Sequence, residues 1–277
     1  MENRMSPAEF LQLTTIRIEC SVPEGTSTGT GFFFGLNYNE ESGICVPVIV
    51  TNKHVIKNSM SGKLRFSLKD KLGKPLWGNF YDVRLQNFES LWIMHPEDSV
   101  DLCVLPIASI HHMIEKADMN LNYTLLTSKD IPSSEELKTD FSRIEEITVI
   151  GYPDGIWDAI NNIPITRKGI TATPLQMDFE NTASFLVDAA IYNGSSGSPV
   201  FVFNQGSFYK PDGSVNIASR LKLVGIIHKV FQHSIKGELK IVDVPTASIP
   251  VAESMIPNNL GIAIHARKLL DFEKLVR

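Results

Sequence analysis

This 277-residue sequence predicts an all-β fold of two six-stranded antiparallel β-barrels, with a short helix at each terminus. Three observations carry that expectation. From Thr14 onward, runs of four to eight β-branched and aromatic residues recur between Gly, Asn, Asp and Pro. The runs fall into two comparable sets, divided by a polar, turn-rich stretch from about 120 to 142. Strand-like runs at this spacing point to closed barrels or sandwiches rather than to βαβ units.

Taken in order, Ser6-Pro7-Ala8-Glu9 reads as a helix start: Ser6 caps it, Pro7 occupies the first turn and Glu9 completes a capping box. Strand texture follows at 14–21, 31–36, 46–51, 64–68, 81–85, 91–94 and 102–107. Residues 109–119 break the pattern, with Ile110, Met113, Ile114 and Ala117 at helical spacing. Strand texture resumes at 147–151, 165–172, 184–190, 199–203, 222–228, 239–244 and 260–265. Leu269, Leu270, Phe272, Leu275 and Val276 then share a helix face within 266–276. The expected division is an N-terminal helix at 1–13, a first barrel at 14–130, and a second barrel with the terminal helix at 131–277.

Composition narrows the function. A balance of 26 Lys+Arg against 31 Asp+Glu leaves a net charge of −5, and no basic run exceeds a pair, so no nucleic-acid partner is expected. No stretch approaches the roughly 18 apolar residues that a membrane-spanning helix needs. The N-terminus is polar and acidic rather than basic then apolar, which points to a cytoplasmic protein. Cys20, Cys45 and Cys103 are odd in number and lack metal-like spacing, so they read as small buried hydrophobes. The adjacent His111-His112 point in different directions on a helix, and His95, His233 and His265 have no ligand-like spacing. No metal site and no cofactor are expected.

The chemistry concentrates in three segments: 51–55 ending a buried-looking strand at His54, 101–105 opening an apolar strand at Asp101, and the small-residue turn 193–200 around Ser196. Amide hydrolysis needs a nucleophile, a base that later returns the proton, and donors where the oxyanion develops. A turn such as Gly194-Ser195-Ser196-Gly197 places Ser196 among backbone N–H groups, although Ser/Gly-rich stretches are more often simple loops. An Asp at the mouth of an apolar strand requires a hydrogen-bonding partner, and an imidazole serves.

Eight segments in order then resemble trypsin-like (chymotrypsin-fold) serine peptidases, and most nearly the HtrA-like protease domain. They are Gly29-Thr30-Gly31-Phe32-Phe33, the His54 and Asp101 segments, Gly151-Tyr152-Pro153-Asp154-Gly155, Val187-Asp188-Ala189-Ala190-Ile191, the Ser196 turn, Val224-Gly225-Ile226-Ile227 and Gly261-Ile262-Ala263-Ile264. The likeness covers roughly 14–270. It implies Ser196 as nucleophile, His54 as general base and then acid, Asp101 as the orienting carboxylate with Asp98 as its rival, and the amides of Gly194 and Ser196 as the oxyanion hole. It implies a serine endopeptidase acting on a protein or peptide substrate. The alternatives are a non-catalytic peptide-binding module, or one that a regulatory protein partner must activate.

Departures from the family pattern shape the expectation further. Ser195 stands where secreted trypsins carry an Asp, and no Ile-Val-Gly-Gly-like terminus is present, so activation by N-terminal insertion is not expected. Ser198 replaces a glycine common in the family. No PDZ-like extension is expected, so any regulation is expected to come from a partner or from loops within the chain. Ala190 occupies the position of the acidic pocket base, so the primary pocket, with Ala190, Ile191, Ile227 and His228, is expected to be apolar. The stretch 229–260 is either a lid over that pocket or a surface hairpin, and 204–219, with Pro211-Asp212-Gly213, reads as a hairpin tip.

Overall fold

The computed structural model describes residues 5–238 and 251–276. Helix α1 (Pro7–Gln12) begins at the expected cap: Ser6 Oγ accepts the Glu9 N–H at 3.2 Å, and the Glu9 carboxylate accepts the Ser6 N–H at 2.8 Å. Nine strands follow: β1 (Thr15–Val22), β2 (Gly25–Leu36), β3 (Val46–Thr51), β4 (Ser61–Lys69), β5 (Pro75–Gln86), β6 (Ile93–Met94), β7 (Cys103–Pro106), β8 (Asn120–Leu121) and β9 (Leu126–Thr127). They form one sheet in the order β5-β4-β1-β2-β3-β7-β6, with β8 pairing β4 and β9 pairing β2. Helix α2 (Lys53–Ile56) follows β3, and α3 (Ala108–Lys116) covers the predicted helical break. Ile110 and Ile114 are buried on α3, whereas Met113 faces outward.

In the second half, β10 (Glu146–Gly151), β11 (Ile165–Thr171), β12 (Ser184–Ala189), β13 (Pro199–Asn204), β16 (Arg220–Glu238) and β17 (Val251–His265) close into a six-stranded barrel in the order β10-β11-β12-β17-β16-β13. Short strands β14 (Phe208–Tyr209) and β15 (Val215–Asn216) pair across the turn that contains Gly213, as the hairpin expectation required. The chain is thus mostly β, one closed barrel beside a large sheet, in keeping with the double-barrel fold. Strands β16 and β17 extend well past the barrel, pairing as far as Glu238 with Val251. The expected strand 239–244 and the tip of the possible lid lie outside the described residues. Residues 266–274 form a 3₁₀ helix rather than an α-helix. No helix among the described residues is long and apolar enough to cross a membrane.

The apolar runs explain how the two halves join. Along a strand, neighbouring side chains leave opposite faces, so a continuous apolar run buries both. On β3, Ile49 fills the interior of the first sheet with Ile16, Ile18 and Leu64, while Val48 and Val50 turn the other way. On β2, Phe33 faces inward and Phe32 and Phe34 outward. The outward set packs with Ile150, Phe201, Leu223, Ile226 and Ile264 of the barrel and with Leu269 and Phe272 of the terminal helix. This shared core holds β3 and its following turn against the second barrel.

Candidate active site

The β3–β7 ladder brings the first two candidate residues together. Thr51 is the register partner of Cys103 in an antiparallel pair, so going forward from Thr51 and backward from Cys103 leads to the same end of the sheet. His54 sits three residues beyond Thr51, on α2, whose Val55 and Ile56 are buried and hold it down. Asp101 sits two residues before Cys103. Asn52 ties the ends together by donating its Nδ2–H to the Asp101 carbonyl at 2.8 Å.

The Asp101 carboxylate divides its two oxygens. Oδ1 accepts the backbone N–H of His54 at 3.0 Å, and Oδ2 lies 2.5 Å from His54 Nδ1. The same Oδ2 lies 2.8 Å from His228 Nδ1, on β16. Burial pushes the Asp101 carboxyl up, but the hydrogen bonds from His228 and His54 outweigh it and hold the group well below the usual carboxylate range. An anionic carboxylate only accepts, so each imidazole donates from Nδ1–H and leaves Nε2 with its lone pair. His54 is 45 % exposed, whereas Asp101 and His228 are largely covered at 17 % and 14 %. The rival, Asp98, is exposed and makes no hydrogen bond to either imidazole among the described residues; its carbonyl accepts from Lys53 Nζ at 3.4 Å.

The turn carrying Ser196 is shaped by two glycines at positive φ, Gly194 at 81° and Gly197 at 84°. A Cβ on Gly197 would lie 2.0 Å from the Thr30 carbonyl oxygen, so no larger residue fits there. The Asn193 carbonyl accepts from the Asp154 N–H at 2.5 Å, and the Ser195 carbonyl from the Ser198 N–H at 3.0 Å. In a trans peptide the N–H points opposite to the C=O, so these two bonds turn the N–H groups of Gly194 and Ser196 away from the packed side of the turn. Among the described residues neither N–H has an acceptor. Such a pair, beside a serine hydroxyl, is the chemistry an oxyanion needs. No hydrogen bond joins Ser196 Oγ to His54 among the described residues.

Thr30 is a residue whose role the sequence did not reveal. It is fully buried, and its N–H donates to the Ser196 carbonyl at 3.0 Å. Its hydroxyl donates to the Gly194 carbonyl at 3.0 Å and accepts from the Tyr152 N–H at 3.0 Å. Its carbonyl accepts from the Thr51 hydroxyl at 2.7 Å. One residue, through its hydroxyl and its main chain, thus links the Ser196 turn, the 152–155 segment and the strand leading to His54. Its place in Gly29-Thr30-Gly31 was the only available signal. Ser198 is accommodated because Gly151 faces it: a Cβ there would lie 2.0 Å from Ser198 Oγ.

The four expected pocket residues fall in different environments. Ile191 and Ile227 are buried in the barrel core, and the Ile227 main chain braces the turn, donating its N–H to the Ser198 carbonyl and accepting the Gly197 N–H, each at 2.9 Å. Ala190 is half-buried, and its carbonyl accepts from Arg167 Nη1, whose guanidinium lies 4.7 Å from the Tyr192 ring centre. His228 turns its Nδ1 to Asp101, a contact that strand texture around 222–228 did not disclose. Of the cysteines, Cys20 and Cys103 are buried, and burial pushes the Cys20 thiol up to about 12. They are inert as nucleophiles.

The family model of the trypsin-like peptidase domain matches residues 29–209. Among solved structures, the HtrA-type protease AlgW with tripeptide, in a serine-to-alanine form, aligns with a TM-score of 0.50 and 16 % identity over 98 % of this chain and 63 % of that one. The serine endoprotease from Yersinia pestis aligns with a TM-score of 0.48 and 15 % identity over 97 % of this chain and 64 % of that one. The chain therefore spans less than two thirds of the length of these proteins. No curated protein matches the sequence significantly. The match covers all three segments that hold His54, Asp101 and Ser196: this chain belongs to the trypsin-like peptidase domain family.

Proposed function

We propose that the protein is a serine endopeptidase in which Ser196 is the nucleophile, His54 the general base and acid, and Asp101 the orienting carboxylate. The observation that carries this reading is the double grip of Asp101 on His54, through the backbone N–H and Nδ1, at the end of the strand that Thr30 ties to the Ser196 turn. Held this way, Nε2 of His54 takes the Ser196 proton as Oγ attacks the scissile carbonyl, and Asp101 stabilises the imidazolium. The Gly194 and Ser196 N–H groups receive the oxyanion. Collapse transfers the proton from His54 to the leaving amine, and a water activated by the same imidazole frees the acyl group. Ala190, half-buried where an acidic pocket base would stand, favours a small or medium apolar side chain before the cleaved bond.

The test is a cleavage profile on a proteome-derived peptide library with the Ser196→Ala protein as control. Cuts that vanish in the variant and cluster after apolar residues support the reading. Identical profiles from both proteins contradict it. A second reading, in which a partner must first close the site, is favoured by the missing Ser196–His54 hydrogen bond, although unliganded catalytic pairs are often long. Cuts that appear only after cell extract is added would favour it.

A further inference from the structure

Sharing one carboxylate oxygen between two imidazoles is more than orienting His54 requires. Among the described residues, His54, Asp101 and His228 form the one group of three such side chains that each offer a ligand atom within 4.8 Å of the others, and Nδ1 of both histidines already meets Oδ2 of Asp101. The two rings stand 6.0 Å apart, centre to centre, with 60° between their planes. Two nitrogens and one oxygen suit zinc and its borderline neighbours, whereas magnesium and calcium demand mostly oxygen.

We propose that these three side chains form an inhibitory binding site for a borderline divalent cation, with zinc as its natural occupant. In a tetrahedral zinc site, bonds of about 2.0–2.2 Å separate the ligand atoms by about 3.4 Å. The Nδ1–Oδ2 distances of 2.5 and 2.8 Å would then open by less than about 1 Å. Oδ1 of Asp101 remains anchored on the His54 N–H, so the carboxylate keeps its aim while Oδ2 exchanges two N–H donors for one cation. The exposed edge of His54 gives the ion its entry, and water completes the fourth position.

The consequence follows from proton bookkeeping. A neutral imidazole carries one proton, and a cation on Nδ1 moves it to Nε2 with none released. His54 Nε2 is then a donor with no free lone pair, and it cannot accept the proton of Ser196. Binding at the site stands independently of hydrolysis, while its inhibitory effect rests on the function proposed above.

Cobalt(II) serves as a spectroscopic probe and zinc as its competitor. The wild-type protein is expected to bind one equivalent of cobalt with the intense visible absorption of a four-coordinate site, bleached by zinc. Loss of an outer-shell partner alone costs about 10–100-fold in metal affinity, so His228→Asn is expected to weaken binding by at least about 100-fold. The His111→Asn/His112→Asn protein, altered at the other histidine pair, should bind as the wild type does. If His228→Asn does not fold, judged by circular dichroism, His54→Asn carries the same comparison. The absence of stoichiometric binding, or binding lost only in the His111/His112 variant, overturns the site. Zinc should also slow fluorophosphonate labelling of Ser196, with recovery on chelation. Labelling unaffected by zinc bound at the site overturns the inhibitory role. A protein that binds cobalt but never labels would refute the hydrolase reading and leave the site standing.

Discussion

The N–H of Thr30 donates to the carbonyl oxygen of Ser196 at 3.0 Å, across 166 positions of sequence and from one half of the molecule to the other. That bond, with the two made by the Thr30 hydroxyl, fixes the Ser196 turn to the strand that leads to His54 through Thr51. Thr30→Val keeps the shape and removes the hydroxyl. It strands the Tyr152 N–H and the Gly194 carbonyl in a buried place, which costs about 1–3 kcal/mol. We expect a lower melting temperature together with slower labelling of Ser196, while Thr30→Ser restores both.

Asp101→Asn is the most informative change on the acid side of the site. The amide retains the shape but presents donors where the carboxylate accepted, so the imidazole tautomer that frees Nε2 is no longer favoured. Loss of about 10⁴-fold in the acylation rate is expected with little change in melting temperature, measured by burst kinetics on an activated ester. Unchanged kinetics would remove Asp101 from the reaction.

Gly197→Ala tests the turn itself. At φ 84° and with its Cβ 2.0 Å from the Thr30 oxygen and 2.5 Å from Thr51 Oγ1, alanine can be placed only by moving backbone. A loss of at least about 2 kcal/mol in urea unfolding is expected, larger than that of Gly213→Ala in the hairpin tip, where φ is also 84° and costs about 1 kcal/mol but no atom stands in the way of a Cβ.

His265 should make stability depend on pH. Burial, and next the Arg267 guanidinium, lower its pKa from 6.5 to about 4, with Asp178 acting the other way. The unfolded chain therefore binds this proton more readily than the folded one, and stability rises with pH across that window. The contribution is complete above about pH 6.5 and drains as pH falls towards 4, to a total of about 3 kcal/mol. Urea unfolding of His265→Gln between pH 7.5 and 4 should show a slope shallower than wild type by up to about 1.4 kcal/mol per pH unit. Parallel curves would contradict the assignment.

What could be read from the sequence was local. Ser6 and Glu9 announced their helix, Ile110 and Ile114 theirs, and the alternation hidden in Val48-Ile49-Val50 was visible as a doubly buried run. The segments holding His54, Asp101 and Ser196 stood out because each joins a reactive side chain to a strand end or glycine turn. What escaped was set by register between distant strands. Thr30 looks like any β-branched residue until β2 is laid against the 193–198 turn, and His228, expected at the substrate pocket, is not seen as a partner of Asp101 until β16 is brought beside it. No spacing rule links residues 54, 101 and 228, which is why a ligand set appears only after folding. The terminal segment was recognisable as amphipathic, but its 3₁₀ winding and its packing against Phe32 and Phe34 are decided by the shared core.

The central claim is that Ser196 Oγ is a nucleophile activated by His54. Mass spectrometry of the protein treated with a fluorophosphonate measures it most directly. One adduct on the peptide containing Ser196, absent from folded Ser196→Ala and His54→Ala proteins, is the expected result. An adduct on another residue, or one that persists at Ser196 without His54 at the same rate, would contradict it.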